Sequence, residues 1–132
     1  MLASQSSRSQ LAKGASIAFL DPADDQHARA VAELKPLLEA GDELIVGATA
    51  YAETMVPPLQ QGHHATVDAF LDDAGIAVAP VDRSVARRAA HLRSQHASLR
   101  LPDAMSLATA QVAGATLLTL DKKLQRLAMP AE

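Results

Sequence analysis

Residues 114–121 read GATLLTLD. The glycine is typical of the end of a helix, and the apolar run after it has the length of a buried strand. Because its apolar residues are nearly continuous, this strand is predicted to be covered on both faces, as in parallel sheets that lie between helices. Asp121 stands at the carboxyl end of the predicted strand, which is the edge where such sheets bind ligands.

Two further strands of the same kind lie upstream, at residues 43–47 (ELIVG) and from Ile76 to Val81. Between the strands, apolar residues recur at helical spacing behind turn and cap residues. The predicted helices are 24–40, one capped by Thr49 that runs towards Pro57-Pro58, one that carries Val67, Phe70 and Leu71, 82–97, 102–114 and a short one after Asp121. This alternation predicts an α/β fold with three layers, a mainly parallel sheet flanked by helices, whose three predicted strands are neighbours or near neighbours.

The chain of 132 residues has the size of one ordinary domain, and we expect a single domain over residues 1–132. Hydrophobic residues make up 48% of it, which is typical of a chain that folds. Its 28 alanines, against two phenylalanines, one tyrosine and no tryptophan, predict helices packed through small side chains. Residues 1–13, MLASQSSRSQLAK, show no apolar period and predict a flexible or atypical start.

Charge and cysteine content exclude several classes of protein. A net charge of -3 excludes a protein that binds nucleic acid over its whole surface, so any such binding must be local. The absence of cysteine excludes disulfides, thiolate zinc sites and thiol nucleophiles, and any metal is expected to be bound by oxygen. No apolar run has the length of a membrane span or signal peptide, so we expect a cytoplasmic protein without a membrane partner.

Three acids are placed where a parallel sheet binds its ligands. Asp121 ends one predicted strand, Glu53 lies in the first turns after another, and Asp103 opens a helix that can point to the same edge. Carboxylates gathered at one place repel each other, and a hard divalent cation such as Mg²⁺ or Mn²⁺ relieves that repulsion. Each acid alone also fits a helix cap or a solvated surface charge.

Several segments, taken in order, resemble the PIN-domain ribonucleases, in particular the VapC-type toxins of toxin–antitoxin pairs. Residues 18–27 (AFLDPADDQH) resemble the first helix and turn of the family, and residues 49–54 (TAYAET) resemble its second acidic motif. Residues 101–104 (LPDA), 108–110 (ATA) and 114–121 resemble the third and fourth acids with the helix and strand between them. The resemblance covers about residues 15–127.

The resemblance implies an Mg²⁺- or Mn²⁺-dependent endoribonuclease toxin. Glu53, Asp103 and Asp121 would hold the ion, which lowers the pKa of the attacking water, and Thr119 would orient a ligand. Lys122 and Lys123 would meet a phosphate of the RNA substrate. The implied partners are a cognate antitoxin, whose C-terminal segment lies in the active-site groove, and a second copy of the chain in a homodimer. That groove is expected to be apolar and lined by alanine and leucine with few aromatic residues.

The first acid of the family has no counterpart in this sequence. Its position corresponds to Ala12, followed by Lys13, and the residues before it lack the apolar character of a central strand. A degenerate site, an altered N-terminus, or replacement by one of the acids of the turn at residues 21–25 would each explain this. A weak or inactive nuclease is therefore expected.

Two other interpretations were compared with the nuclease. A non-catalytic module of the same fold would bind an antitoxin or RNA without cutting, and the missing first acid favours it. A phosphatase of the haloacid-dehalogenase type needs a second acid two residues after its nucleophile, and Asp121-Lys122-Lys123 lacks that acid.

Overall fold

The computed structural model describes residues 8–128 and contains one parallel sheet. The strands in these residues are β1 (Arg8–Leu11), β2 (Glu43–Gly47), β3 (Ala77–Ala79) and β4 (Thr116–Leu118). They are hydrogen-bonded in the order β3-β2-β1-β4, and every neighbouring pair is parallel. The predicted α/β fold with a parallel sheet is confirmed, with β1 between β2 and β4.

Helices connect the strands and cover the sheet. They are α1 (Lys13–Leu20), α2 (His27–Glu39), α3 (Ala48–Gln61), α4 (His64–Asp73), α5 (Arg83–Gln95), α6 (Leu101–Ala113) and α7 (Lys122–Ala128). Within residues 8–128, none of them has the length and apolarity needed to cross a membrane.

Two apolar cores lie on opposite faces of the sheet. The first, beside α5 and α6, contains the buried residues Val85, Ala89, Leu92, Ala104, Leu107 and Ala108. The second, beside α1 to α4, contains Leu11, Leu34, Leu44, Val46, Met55 and Leu71. Leu117 packs in the first core and Leu118 against the second, because successive side chains of a strand point to opposite faces. The predicted three layers are therefore present.

The start of the chain differs from the expectation. The sequence predicts a flexible or atypical segment over residues 1–13, whereas Arg8–Leu11 form the central strand. Three of the four residues are buried, although only the last is apolar, so no apolar period marks the strand. The arginine at its less buried end donates to the Glu43 carboxylate and to the Ala113 carbonyl, both at 2.9 Å. Residues 1–7 lie outside the described residues.

Several element ends also differ from the expected ones. Helix α2 begins at His27 and not near residue 24. The carboxylates of Asp21 and Asp24 each accept a backbone N–H from two residues further on, so this segment forms turns before the helix. The strands predicted over 76–81 and 116–120 are shorter than expected, with three residues each in β3 and β4.

Helix α3 differs from its prediction at both ends. It begins at Ala48 with Gly47 at the cap position, so Thr49 lies inside the helix and does not cap it. It continues through Pro57-Pro58 to Gln61. The two prolines have no N–H and remove two backbone hydrogen bonds, but the tertiary contacts of α3 keep it helical.

Replacement of Gln10 in β1 by an apolar residue is expected to stabilise the protein. Its side chain is fully buried, and neither its amide oxygen nor its amide nitrogen has a hydrogen-bond partner in the described part of the chain. Because an unpaired buried polar group costs about 1–3 kcal/mol, Gln10→Met should raise the free energy of unfolding by about that amount. Denaturant unfolding measures this, with the exposed Gln60→Met as the control expected to change little. A loss of stability in Gln10→Met would contradict the prediction.

Tyr51 is expected to make a pH-dependent contribution to stability. Its hydroxyl donates from α3 to the Asp68 carboxylate in α4 at 2.6 Å. This hydrogen bond raises the pKa of Tyr51 above 10.0, and burial and the charges of Asp68 and Asp72 raise it further. Because the folded-state pKa is raised, the contribution of Tyr51 is fully present below the unfolded pKa and is lost as pH rises through the folded one.

The Tyr51→Phe variant should therefore have a free energy of unfolding about 1 kcal/mol lower at pH 7. The difference between the two proteins should shrink as pH rises above the ordinary pKa of tyrosine. Urea unfolding from pH 7 into the alkaline range measures both effects. A difference that stays constant over this range would show that the hydrogen bond does not cause it.

Candidate functional site

A small cleft of about 180 Å³ lies at the carboxyl end of β4. We call it the carboxyl-edge cleft. Its polar lining consists of Ser98, Arg100, Asp103, Asp121 and Lys123. Asp103 lies in the first turn of α6. Asp121 lies between β4 and α7, and Lys123 lies in the first turn of α7. The structure therefore brings together two of the three predicted acids and one of the two predicted lysines.

The position of Asp121 is determined by the start of α7. Its Oδ1 accepts the backbone N–H groups of Lys123 at 2.9 Å and of Leu124 at 3.3 Å. Thr119 is buried, and its hydroxyl oxygen accepts the backbone N–H of Asp121 at 3.1 Å. Thr119 was predicted to orient a ligand, and what it orients here is the turn that carries the Asp121 carboxylate.

Asp103 faces the cleft together with a basic partner. Arg100, three residues earlier, donates from Nε to Oδ2 of Asp103 at 3.4 Å. The arginine side chain is 76% exposed and the aspartate 28%, so this pair lies at the mouth of the cleft and contributes little stability. Arg100 was not predicted from the sequence to be a partner of Asp103. A base three residues before a predicted ligand was the signal available.

Glu53 has a different neighbour. It lies in α3, and its Oε2 is 3.6 Å from the Nζ of Lys13 at the start of α1. Glu53 does not line the carboxyl-edge cleft. The structure therefore pairs Glu53 with a lysine and leaves Asp103 and Asp121 together at the cleft.

The predicted metal ligands can be tested against this geometry. Each of the three carboxylates already has a protein donor: Lys13, Arg100, or the backbone of α7. Among residues 8–128, no three His, Asp or Glu side chains are grouped closely enough to hold one metal ion. In this arrangement Glu53 is paired with Lys13 and only Asp103 and Asp121 lie together, so the sharing of one ion by all three acids stays a prediction.

The residue at the end of the central strand is buried. Ala12 is 4% exposed and joins β1 to α1. Its N–H donates to the Leu118 carbonyl of β4 at 3.0 Å, so the backbone here is tied to the neighbouring strand. Lys13 follows it directly.

The two predicted RNA-binding lysines lie at the start of α7. Both are exposed. Lys123 donates from Nζ to the Ser98 hydroxyl at 3.1 Å and lines the cleft, whereas Lys122 does not line it. Lys123 is therefore the one placed to meet a phosphate that enters the cleft.

A much larger groove of about 880 Å³ lies among α1, α2, α3 and α4. Phe19 and Phe70 meet in it with ring centroids 5.7 Å apart. Its other apolar lining residues include Ile17, Leu20, Val31, Leu38, Pro57, Pro58 and Val67. Lys35 and His63 add polar groups to this lining. The sequence predicts an apolar groove lined by alanine and leucine at the active site, whereas this groove also contains phenylalanine, proline and valine and shares no lining residue with the carboxyl-edge cleft.

Comparison with protein families finds a match to the PIN domain over residues 13–129. The comparison with curated proteins finds no similar sequence. Among solved structures, VapBC2 from Rickettsia felis, bound to a DNA fragment of its promoter, has a TM-score of 0.72 and 15% identity, covering 90% of this chain and 92% of that one.

Two more solved structures are similar over most of their length. VapC20 of Mycobacterium tuberculosis, described as a toxin that cleaves the sarcin-ricin loop, has a TM-score of 0.71 and 19% identity, covering 92% of this chain and 96% of that one. A toxin–antitoxin complex from Klebsiella pneumoniae has a TM-score of 0.68 and 23% identity, covering 87% and 88%. These likenesses show a shared fold.

Proposed function

Because the chain belongs to the PIN-domain family, we propose that it is the toxin of a toxin–antitoxin pair, an Mg²⁺-dependent endoribonuclease whose activity is impaired. The observation that carries this proposal is the carboxyl-edge cleft, where Asp103 and Asp121 lie beside two basic side chains. Carboxylates are the ligands that Mg²⁺ or Mn²⁺ prefers, and basic groups beside them attract a phosphodiester.

The residues of the cleft divide this work among them. Asp103 and Asp121 supply negative charge, and Thr119 holds the turn that carries Asp121. Lys123 and Arg100 position the RNA backbone. The impairment follows from the alanine at residue 12 and from the pairing of Glu53, which leave fewer acids available for a cation.

The proposed protein partner is an antitoxin with a helical segment. The groove among α1 to α4 has a volume of about 880 Å³, is mainly apolar and includes polar groups in its lining, which fits an amphipathic helix. Some of the similar structures are toxin–antitoxin complexes, which supports a partner of this kind. A homodimer, which the family resemblance also implies, stays a prediction.

The test is RNA cleavage by the purified chain with Mg²⁺ or Mn²⁺ and with a chelator. We expect weak cleavage that the chelator abolishes and that the Ala12→Asp variant exceeds. Rapid metal-dependent cleavage by the unaltered chain would contradict the impairment.

A second candidate function is a non-catalytic module that binds RNA or an antitoxin. The Lys13–Glu53 ion pair favours it, because a lysine occupies one of the predicted metal ligands. In this case both the unaltered chain and Ala12→Asp should bind RNA in a gel-shift assay, and neither should cleave it.

A further inference from the structure

We propose that the Lys13 ammonium group is the resident cation at the carboxyl edge of the sheet, and that it excludes a divalent metal ion by neutralising Glu53. This inference rests on the proposed function only in placing the expected metal at this edge. It assigns a role to Lys13, which the family resemblance does not do.

The sheet order brings Lys13 to the middle of the edge. Strand β1 lies between β2 and β4, and Lys13 begins the helix that follows β1 after a single residue. Glu53 lies in the helix after β2, and Asp121 lies after β4. Lys13 therefore leaves the sheet between the elements that carry these two acids, and its Nζ lies 3.6 Å from Glu53 Oε2.

A buried pair of hydroxyl groups holds the two helices in this relation. Ser16 in α1 and Thr54 in α3 are both buried, and their hydroxyl oxygens are 2.7 Å apart. Each hydroxyl also has a backbone carbonyl within reach, that of Ala50 for Thr54 at 2.7 Å and that of Lys13 for Ser16 at 3.2 Å, and either hydroxyl can be the donor between them. Ser16 lies one turn after Lys13, and Thr54 directly follows Glu53. The buried contact between the two hydroxyl groups therefore fixes the backbone positions of the ion pair.

The charges at this edge balance without a metal. Lys13 pairs with Glu53 and Arg100 with Asp103, while Lys123 lines the cleft beside Asp121. Two of the three acids are thus in ion pairs, and Lys123, whose Nζ donates to Ser98, adds a third positive charge to the lining of the cleft that contains Asp121. A divalent cation would gain little attraction here and would be repelled by the ammonium group nearest to the middle of the edge. Removal of that one positive charge leaves a net negative edge.

The experiment measures Mn²⁺ binding directly, by calorimetry and by the electron paramagnetic resonance signal of free Mn²⁺. We expect the unaltered chain to bind Mn²⁺ weakly at millimolar concentration, and Lys13→Met to bind at least about tenfold more tightly. Lys13→Arg should behave as the unaltered chain does, because it keeps the charge. Lys35→Met, which removes a lysine of α2, is the matched control and should leave the Mn²⁺ affinity unchanged.

The same comparison is made in the Ala12→Asp background, where a carboxylate is restored. Lys13→Met should again strengthen Mn²⁺ binding there by about tenfold. The proposal is overturned if Lys13→Met strengthens Mn²⁺ binding in neither background. These outcomes concern metal affinity alone, so they are separate from the proposed function, which fails if Ala12→Asp binds Mn²⁺ and RNA but cleaves no RNA.

Discussion

The Ala12→Asp variant is expected to cleave RNA about 100-fold faster than the unaltered chain in Mg²⁺ or Mn²⁺, since loss of even an outer-shell metal partner commonly costs 10–100-fold. Ala12 directly follows the central strand β1, and its N–H donates to the Leu118 carbonyl of β4. A carboxylate at this position would lie between the elements that carry Glu53 and Asp121, where it adds the negative charge that a divalent ion needs.

Two controls separate charge from other effects of the substitution. In Ala12→Asn the new side chain has nearly the same size as that of aspartate but carries no charge, so this variant should cleave RNA as slowly as the unaltered chain. The Ala12→Asp, Asp103→Asn double variant should lose the gained activity. Because residue 12 is 4% exposed, the new carboxylate should also lower the melting temperature, and Mn²⁺ should restore part of it. Equal cleavage by Ala12→Asp and Ala12→Asn would contradict the placement of the first acid.

The Thr66→Arg variant is expected to bind the proposed antitoxin at least about 30-fold more weakly, which corresponds to the loss of about 2 kcal/mol at an important contact. Thr66 lies in α4, is exposed and lines the groove among α1 to α4. A long charged side chain there would fill space that the apolar face of a partner helix needs, and its charge would be buried without a partner. Its exposure means that the substitution should leave the fold unchanged.

The matched control is Ala65→Arg, which places the same side chain on the next residue of α4. Ala65 is exposed but does not line the groove, so the affinity of Ala65→Arg for the proposed antitoxin should be unchanged. The probe is the small protein encoded by the neighbouring gene, and calorimetry gives its dissociation constant for each variant. Equal weakening by both variants, or by neither, would show that this groove does not hold the antitoxin.

The parts of the fold that local signals mark were predictable. The run at residues 43–47 is apolar throughout its centre, and Gly114 ends α6 in the left-handed conformation typical of helix ends. The central strand Arg8–Leu11 was not predictable, because its polar residues are buried by neighbours that come from distant parts of the sequence. Burial of Gln10 without a hydrogen-bond partner opposes every local rule.

The same limit applies to the candidate site. Asp103 and Asp121 were predictable as neighbours, since each stands at an element end that a parallel sheet turns to one edge. The pairing of Lys13 with Glu53 was not, because it depends on the position of β1 beside β2. Because the central strand could not be predicted from the sequence, the contacts that depend on its position could not be predicted either.

The strand order also has a consequence for biosynthesis. Strand β1 pairs with β4, so Ser9 near one end of the described chain lies opposite Thr116 near the other. A growing chain on the ribosome can pair β1 with β2 early, but the second edge of β1 stays open until β4 has been synthesised. Asp121 and α7 come later still. Within residues 8–128 the carboxyl-edge cleft is thus completed last, and a nascent chain lacks it until α7 has been synthesised.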